Sequence, residues 1–91
     1  MSKPFRFGVQ SFNAESAEDW AGQVQRAEEL NYSAFHLADH IIGSGPALEK
    51  ANHPEQNLAA IPAMAYAAAV TNKINIGCRV FCVDYHLPIV L

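Results

Sequence analysis

"SAFHLADHIIGSG" spans residues 33–45, and the reading of its first seven residues decides the fold. A surface helix alternates apolar and polar residues with a period near 3.6, and needs more length than this run offers. "SAFHLAD" (33–39) is short and continuously apolar apart from His36, so it reads as a buried strand. The period of two places Ala34, His36, Ala38 and His40 on one face, and Phe35, Leu37 and Asp39 on the other. The strand ends in Asp39-His40, and a glycine-containing loop follows.

Toward the N-terminus, "FRFGVQS" (5–11) alternates Phe5, Phe7 and Val9 with Arg6, Gly8 and Gln10, the pattern of a second strand. Between the two lies a helix. Ser16 can cap it, with Asp19 three residues on in a weak form of the capping box. Trp20, Val24, Ala27 and Leu30 form one stripe, and Glu18, Gln25, Glu28 and Glu29 fall off it. Asn31 ends the helix, because asparagine tolerates the left-handed turn that follows a last helical residue.

Toward the C-terminus, Gly43, Gly45, Pro46 and Pro54 punctuate a polar loop from about 43 to 57. Pro62 fits the first turn of a second helix, where its missing N–H costs nothing. That helix continues through "AMAYAAAV" (63–70) to Thr71-Asn72, and its alanines permit close packing on a sheet. "INIGCRVFCV" (74–83) is a third strand, followed by a loop with Asp84, Tyr85 and His86. Pro88 reads as a further helix start. The order β-α-β-α-β implies parallel strands joined by crossover helices in one α/β domain over 1–91.

Of the 91 residues, 51% are apolar and 16% charged, an apolar-rich balance for so short a chain, whose surface should dominate. Either more of its own domain or another subunit is expected to meet that surface, which favours a homo-oligomer or the front of a longer domain. The net charge is −3 and the six Lys and Arg are scattered, which argues against nucleic acid as a partner. The longest apolar stretch falls short of the ~20 residues that span a bilayer. The N-terminus has no secretory leader pattern, so a soluble, cytoplasmic protein is expected. Cys78 and Cys82 lie on an apolar strand pattern, which favours reduced core thiols.

Asp39 and His40 stand at the C-terminal end of a parallel strand, where α/β proteins place their sites. Histidine exchanges protons near neutral pH, and an adjacent carboxylate can orient it. A plain strand-end turn that surfaces in polar residues accounts for the same pair. His36 and His40 cannot share a metal ion, since four strand residues span roughly 13 Å, so no metal site is expected. His36 reads as a satisfied interior histidine. "GSGPAL" (43–48) lacks the glycine pattern of a phosphate loop and reads as a loop only. In "IGCRV" (76–80), Gly77 inside a strand points to a bulge or a close ligand approach. Arg79 needs an acid, an anion or solvent.

Taken together, "FRFGVQ" (5–10), "WAGQVQRAEELNYSAFHLADH" (20–40), "AAAVTNKINIGCRV" (67–80) and "HLPIVL" (86–91) resemble the start of a luciferase-like monooxygenase. That superfamily comprises flavin- and deazaflavin-dependent oxidoreductases on a TIM barrel. The resemblance implies the β-α-β-α-β opening of a (β/α)8 barrel, cut before its third helix; a whole barrel takes about 250 residues. It implies FMN or an 8-hydroxy-5-deazaflavin coenzyme, a small organic substrate, His40 as proton donor or acceptor, and Asp39 as its neighbour. It also implies that Gly77, Cys78, Arg79 and Val80 form the bulge under the cofactor ring, with a cis bond between Arg79 and Val80. The chain departs from the family in Asn31, where glycine is usual, in Arg79, where a small residue beside the ring is usual, and in His86-Leu87-Pro88, where Arg-His-Pro is usual. A different class fits the same composition: a stand-alone chain that assembles with itself and has no catalytic role.

Overall fold

The computed structural model describes residues 4–40, 45–52, 55–87 and 89. Within them the order is β1 (Gly8–Gln10), α1 (Ala17–Glu29), β2 (Ala34–Leu37), α2 (Pro46–Lys50), α3 (Ala60–Ala69) and β3 (Asn75–Cys78), then a 3-10 turn, Val83–Tyr85. The strands form one parallel sheet in the order β1-β2-β3. In register, Val9 sits beside Phe35 and Phe35 beside Ile76; Gln10 sits beside His36 and His36 beside Gly77. The chain is thus an α/β domain with its central strand where the apolar run at 33–39 placed it.

Each strand is shorter than its sequence window, though the ladder reaches one residue further at several ends. Ser33 N–H donates to Phe7 O, Ser11 N–H to His36 O and Arg79 N–H to Leu37 O. Beyond these bonds the windows fail. Phe5 and Phe7 are exposed, and residues 79–83 leave the sheet. "INIGCRVFCV" contains only one strand's worth of pairing, because the ladder offers no partner beyond Leu37. The Arg79–Val80 peptide bond is cis, the bond for which the family resemblance implies that geometry.

Ser16 caps α1 by accepting from Asp19 N–H at 3.0 Å, and Asp19 Oδ2 accepts from Glu15 N–H rather than from the cap residue itself. At the other end Asn31 takes φ 65°, with Asn31 N–H bonded to Glu28 O and Tyr32 N–H to Ala27 O. This is the double-bonded left-handed stop that satisfies the helix's last carbonyls. Trp20, Val24 and Ala27 are buried as the stripe predicts; Leu30 is not, because it lies past the last turn as the cap residue and is half exposed.

The loop expected over 43–57 contains a helix. Pro46 opens α2, its ring presetting φ in the first turn, where an N–H has no intrahelical partner to lose, and Ala47, Glu49 and Lys50 are favourable helix residues. Gly43, Ser44, His53 and Pro54, and the helix start read at Pro88, lie outside the described residues. α3 begins two residues before Pro62 and stops at Ala69, short of Thr71. Thr71 Oγ1 donates to Ala67 O, so the threonine closes the helix rather than extending it.

α1 and α3 cover one face of the sheet. Phe35, Leu37, Val9, Ile76 and Cys78 meet Trp20, Val24, Ala27, Ala60, Ala63, Ala67 and Ile74 there. Ala67 and Leu37 have no exposed surface, so the alanine face of α3 brings the helix close enough to bury the central strand. Trp20 packs edge-on against Phe35, centroids 5.2 Å apart, and its Nε1–H donates to Ala63 O at 2.9 Å. That bond ties α1 to α3 at the depth of the core. Burying Phe35 and Leu37 contributes about 1.5–3 kcal/mol each relative to exposure.

A polar clamp closes the other end of the layer. Glu28 Oε2 accepts from the backbone N–H groups of Asn72, Lys73 and Ile74 at 2.8, 2.7 and 3.1 Å. Three donors on one carboxylate hold its pKa below the ordinary value. The sheet's second face, with Gly8, Gln10, Ala34, His36, Asn75 and Gly77, carries no helix among the described residues.

Candidate functional site at the end of the central strand

β2 delivers its chain to the C-terminal edge of the sheet, where Asp39 is buried at 6% exposure. A buried carboxylate needs partners. Asp39 Oδ2 accepts from Cys82 N–H at 2.9 Å and bonds His86 Nε2 at 2.8 Å. Burial alone would push the Asp39 carboxyl up. The Cys82 amide, the His86 bond and the charges of His86 and His40 outweigh it, so its pKa lies below the ordinary value.

The sequence pairs Asp39 with its neighbour His40; the structure adds a hydrogen-bonded partner 47 residues away. His86 is a site residue that sequence reasoning missed. The signal was available: parallel neighbours end on the same side, so the loop after β3 must fall beside the tip of β2. His86 is flanked edge-on by Phe81 and Tyr85, with centroids 6.3 and 6.4 Å away. In its neutral form the proton shared with Asp39 sits on Nε2, which leaves Nδ1 as an acceptor. An imidazole oriented this way by a carboxylate can take a proton from a donor placed at Nδ1.

Asp39, His40, Tyr85 and His86 line a cleft of about 240 Å³ whose other wall is Gln56, Leu58 and the first turn of α3. Gln56 is buried, its Nε2 donating to Ala38 O at 2.7 Å and to Leu58 O at 2.8 Å. This amide joins the strand tip to the segment entering α3.

The third-strand residues divide between the two faces. Gly77 lies in register with His36 on the uncovered face, and a Cβ built on it would meet nothing within 4 Å. Cys78 lies beside Leu37 on the covered face; burial, then the charge of Asp39, push its thiol up. Only its backbone is available toward the uncovered side. Arg79 and Val80 are exposed. Both cysteines are free thiols.

His36 departs from expectation. It is half-buried rather than interior, and its Nδ1 is buried without a hydrogen-bond partner. Burial, then the charge of Arg79, lower its pKa. Gly8 makes room for the ring: a Cβ there would lie 3.3 Å from His36 Nε2. Among the described residues no group of three or more His, Cys, Asp or Glu is placed to hold a metal ion, and no helix is long and apolar enough to cross a membrane. Comparison with protein-family models, curated proteins and solved structures finds no match for this chain.

Proposed function

We propose that the chain is the opening part of a luciferase-like oxidoreductase, a (β/α)8 barrel acting on a small organic substrate. In this reading Asp39, His40 and His86 handle the proton that accompanies the redox step. The observation that carries it is the buried Asp39–His86 bond beside His40, in the wall of a cleft at the C-terminal edge of a parallel sheet. That edge is where such sheets place their chemistry. The strand order β1-β2-β3, with α1 and α3 on one face, is also the arrangement a barrel's opening requires.

A bound FMN or deazaflavin would supply the hydride acceptor or donor, or the activation of oxygen in a monooxygenase. The residues present fit a flat ring: the space over Gly77 is open, the backbone of Cys78 continues that surface, and Arg79 and Val80 border it. Asp39 orients His86 through Nε2 and keeps its own charge, while His40 faces the same cleft. The imidazoles exchange the proton with substrate.

The test is the native protein from its own cells. An intact mass near that of a barrel of about 250 residues, with bound or titratable flavin or deazaflavin absorbance, supports the proposal. A native protein that takes up neither coenzyme refutes it. The 91-residue chain alone should bind coenzyme weakly and should not turn over; turnover by it would count against the division of the site proposed here.

A second reading rests on a separate observation. Phe5, Phe7, Val80, Leu87 and Ile89 are 90, 65, 71, 71 and 94% exposed, and among the described residues one sheet face carries no helix. Such a surface favours self-association into a non-catalytic assembly. Light scattering decides: a clean monomer at high concentration removes this reading.

A further inference from the structure

The last carbonyls of β2 are satisfied by one element after another. His36 O accepts from Ser11 N–H just past β1, and Leu37 O from Arg79 N–H just past β3, at 3.1 and 2.8 Å. The ladder ends there, yet Ala38 and Asp39 are still buried, so the next carbonyl needs a donor from elsewhere. Gln56 supplies it: its Nε2 donates to Ala38 O at 2.7 Å and to Leu58 O at 2.8 Å. Ala38 O belongs to the planar peptide unit that leads into Asp39. Holding that plane restricts the direction in which the Asp39 side chain leaves the backbone.

Gln56 is itself held from both sides. Asn13 Nδ2 donates to Glu55 O at 2.8 Å. The Asn57 amide exchanges two bonds with Ala14, accepting from its N–H at 3.0 Å and donating to its carbonyl at 2.7 Å. Residues 55 and 57 are thus tied to the loop between β1 and α1, and the side chain of residue 56 reaches the tip of β2. Its Oε1 is buried without a partner. An unpaired buried acceptor is a cost, so the position uses its amide for the nitrogen.

We propose that Gln56 is a positioning residue for the proton-handling pair: by holding the Ala38–Asp39 peptide it aims the Asp39 carboxylate at His86, and so favours the His86 tautomer protonated on Nε2. Gln56 acts through Asp39 and exchanges no proton. The carboxylate it aims is met by Cys82 N–H at 2.9 Å and by His86 Nε2 at 2.8 Å. The inference rests on Asp39 and His86 handling a proton, and it names the residue that decides which imidazole nitrogen is left to accept one.

The experiment reads the His86 ring nitrogens by NMR in the 91-residue chain, at about pH 8.5, where imidazole is neutral. Wild type is expected to hold mainly the Nε2–H tautomer. Gln56→Leu should lower the ratio of Nε2–H to Nδ1–H by about fivefold, the factor carried by one weakened hydrogen bond. Gln56→Asn, one methylene short of the two carbonyls, should move the ratio the same way, and it decides the matter if the leucine variant does not fold. Glu28→Gln loosens the opposite end of the layer and should leave the ratio unchanged. An unmoved ratio in the folded Gln56 variants overturns the proposal, as does a wild-type His86 without the Nε2–H preference. An equal shift in Glu28→Gln overturns it too, since general loosening would then account for the effect. The ratio is read without coenzyme, so the two readings fail separately. A ratio that follows Gln56, in a native protein that takes up no flavin, sinks the redox reading alone. A ratio indifferent to Gln56, in a protein that binds flavin, sinks this one alone.

Discussion

Replacing Asp39 by asparagine keeps the shape of the side chain and removes its charge. Two hydrogen bonds are affected, from Cys82 N–H and from His86. A bond to a charged acceptor contributes about 1.5–3 kcal/mol and a neutral one about 0.5–1.5, so two bonds weaken by ~2 kcal/mol together. Part is offset, because a neutral amide is less costly to bury than a carboxylate. The expected net loss is about 1–2 kcal/mol at pH 7, and with a urea slope of about 1 kcal/mol/M it lowers the unfolding midpoint by about 1–2 M. The pH dependence gives a second handle. The folded pKa of Asp39 is depressed, so its contribution is present above the unfolded carboxyl value and fades as pH falls toward the folded one. The gap between wild type and Asp39→Asn should therefore narrow below about pH 4. Urea denaturation followed by circular dichroism, at pH 7 and in steps down to pH 3, reads both effects. An asparagine variant as stable as wild type at pH 7, or a gap that stays constant with pH, would refute the account of Asp39 as a charged anchor for the 82–86 segment. A double-mutant cycle with His86→Ala should return a coupling of about 1–2 kcal/mol.

Glu28 should behave alike in sign. Its depressed pKa makes its contribution present above the ordinary carboxylate range and lost in acid, so Glu28→Gln should flatten the pH dependence of the urea midpoint between about pH 3 and 5. Asn31→Gly should stabilise the chain by about 0.5–1 kcal/mol, since glycine meets no steric penalty at φ 65°, and thermal unfolding would show it. Gly8→Ala places a methyl 3.3 Å from His36 Nε2 and should swing that ring toward solvent. Because burial is the main cause of the lowered His36 pKa, an NMR titration should then find it moved upward.

The parts of the fold legible in the sequence were those fixed by local chemistry. Ser16 and Asn31 bound α1 because capping and left-handed turns depend on a few adjacent residues. The apolar run at 33–39 located the central strand because it is buried by its neighbours. Strand ends were less legible: residues 79–83 carry the composition of a strand, yet a strand exists only where a partner offers its edge. α2 was hidden by its proline, which interrupts a helix at most positions and starts one at the first. The site divided in the same way. Asp39 was found from its position at a strand end. His86 was not, because its bond to Asp39 comes from two loops brought together by the sheet, and Gln56 was missed because nothing in its own neighbourhood marks it as buried.

The Glu28 clamp bears on which changes this chain can accept. Its carboxylate recognises amide hydrogens and ignores what the donors carry beyond the backbone. Asn72 and Lys73, both exposed, should exchange for almost any residue with little effect, proline excepted because it has no hydrogen to offer. Position 28 has no such freedom: aspartate is one methylene too short to reach all three donors, and glutamine can offer the single point where they converge only a neutral, weaker acceptor oxygen. A library randomised over 28, 72 and 73 should therefore return a nearly fixed residue 44 positions before two nearly free ones.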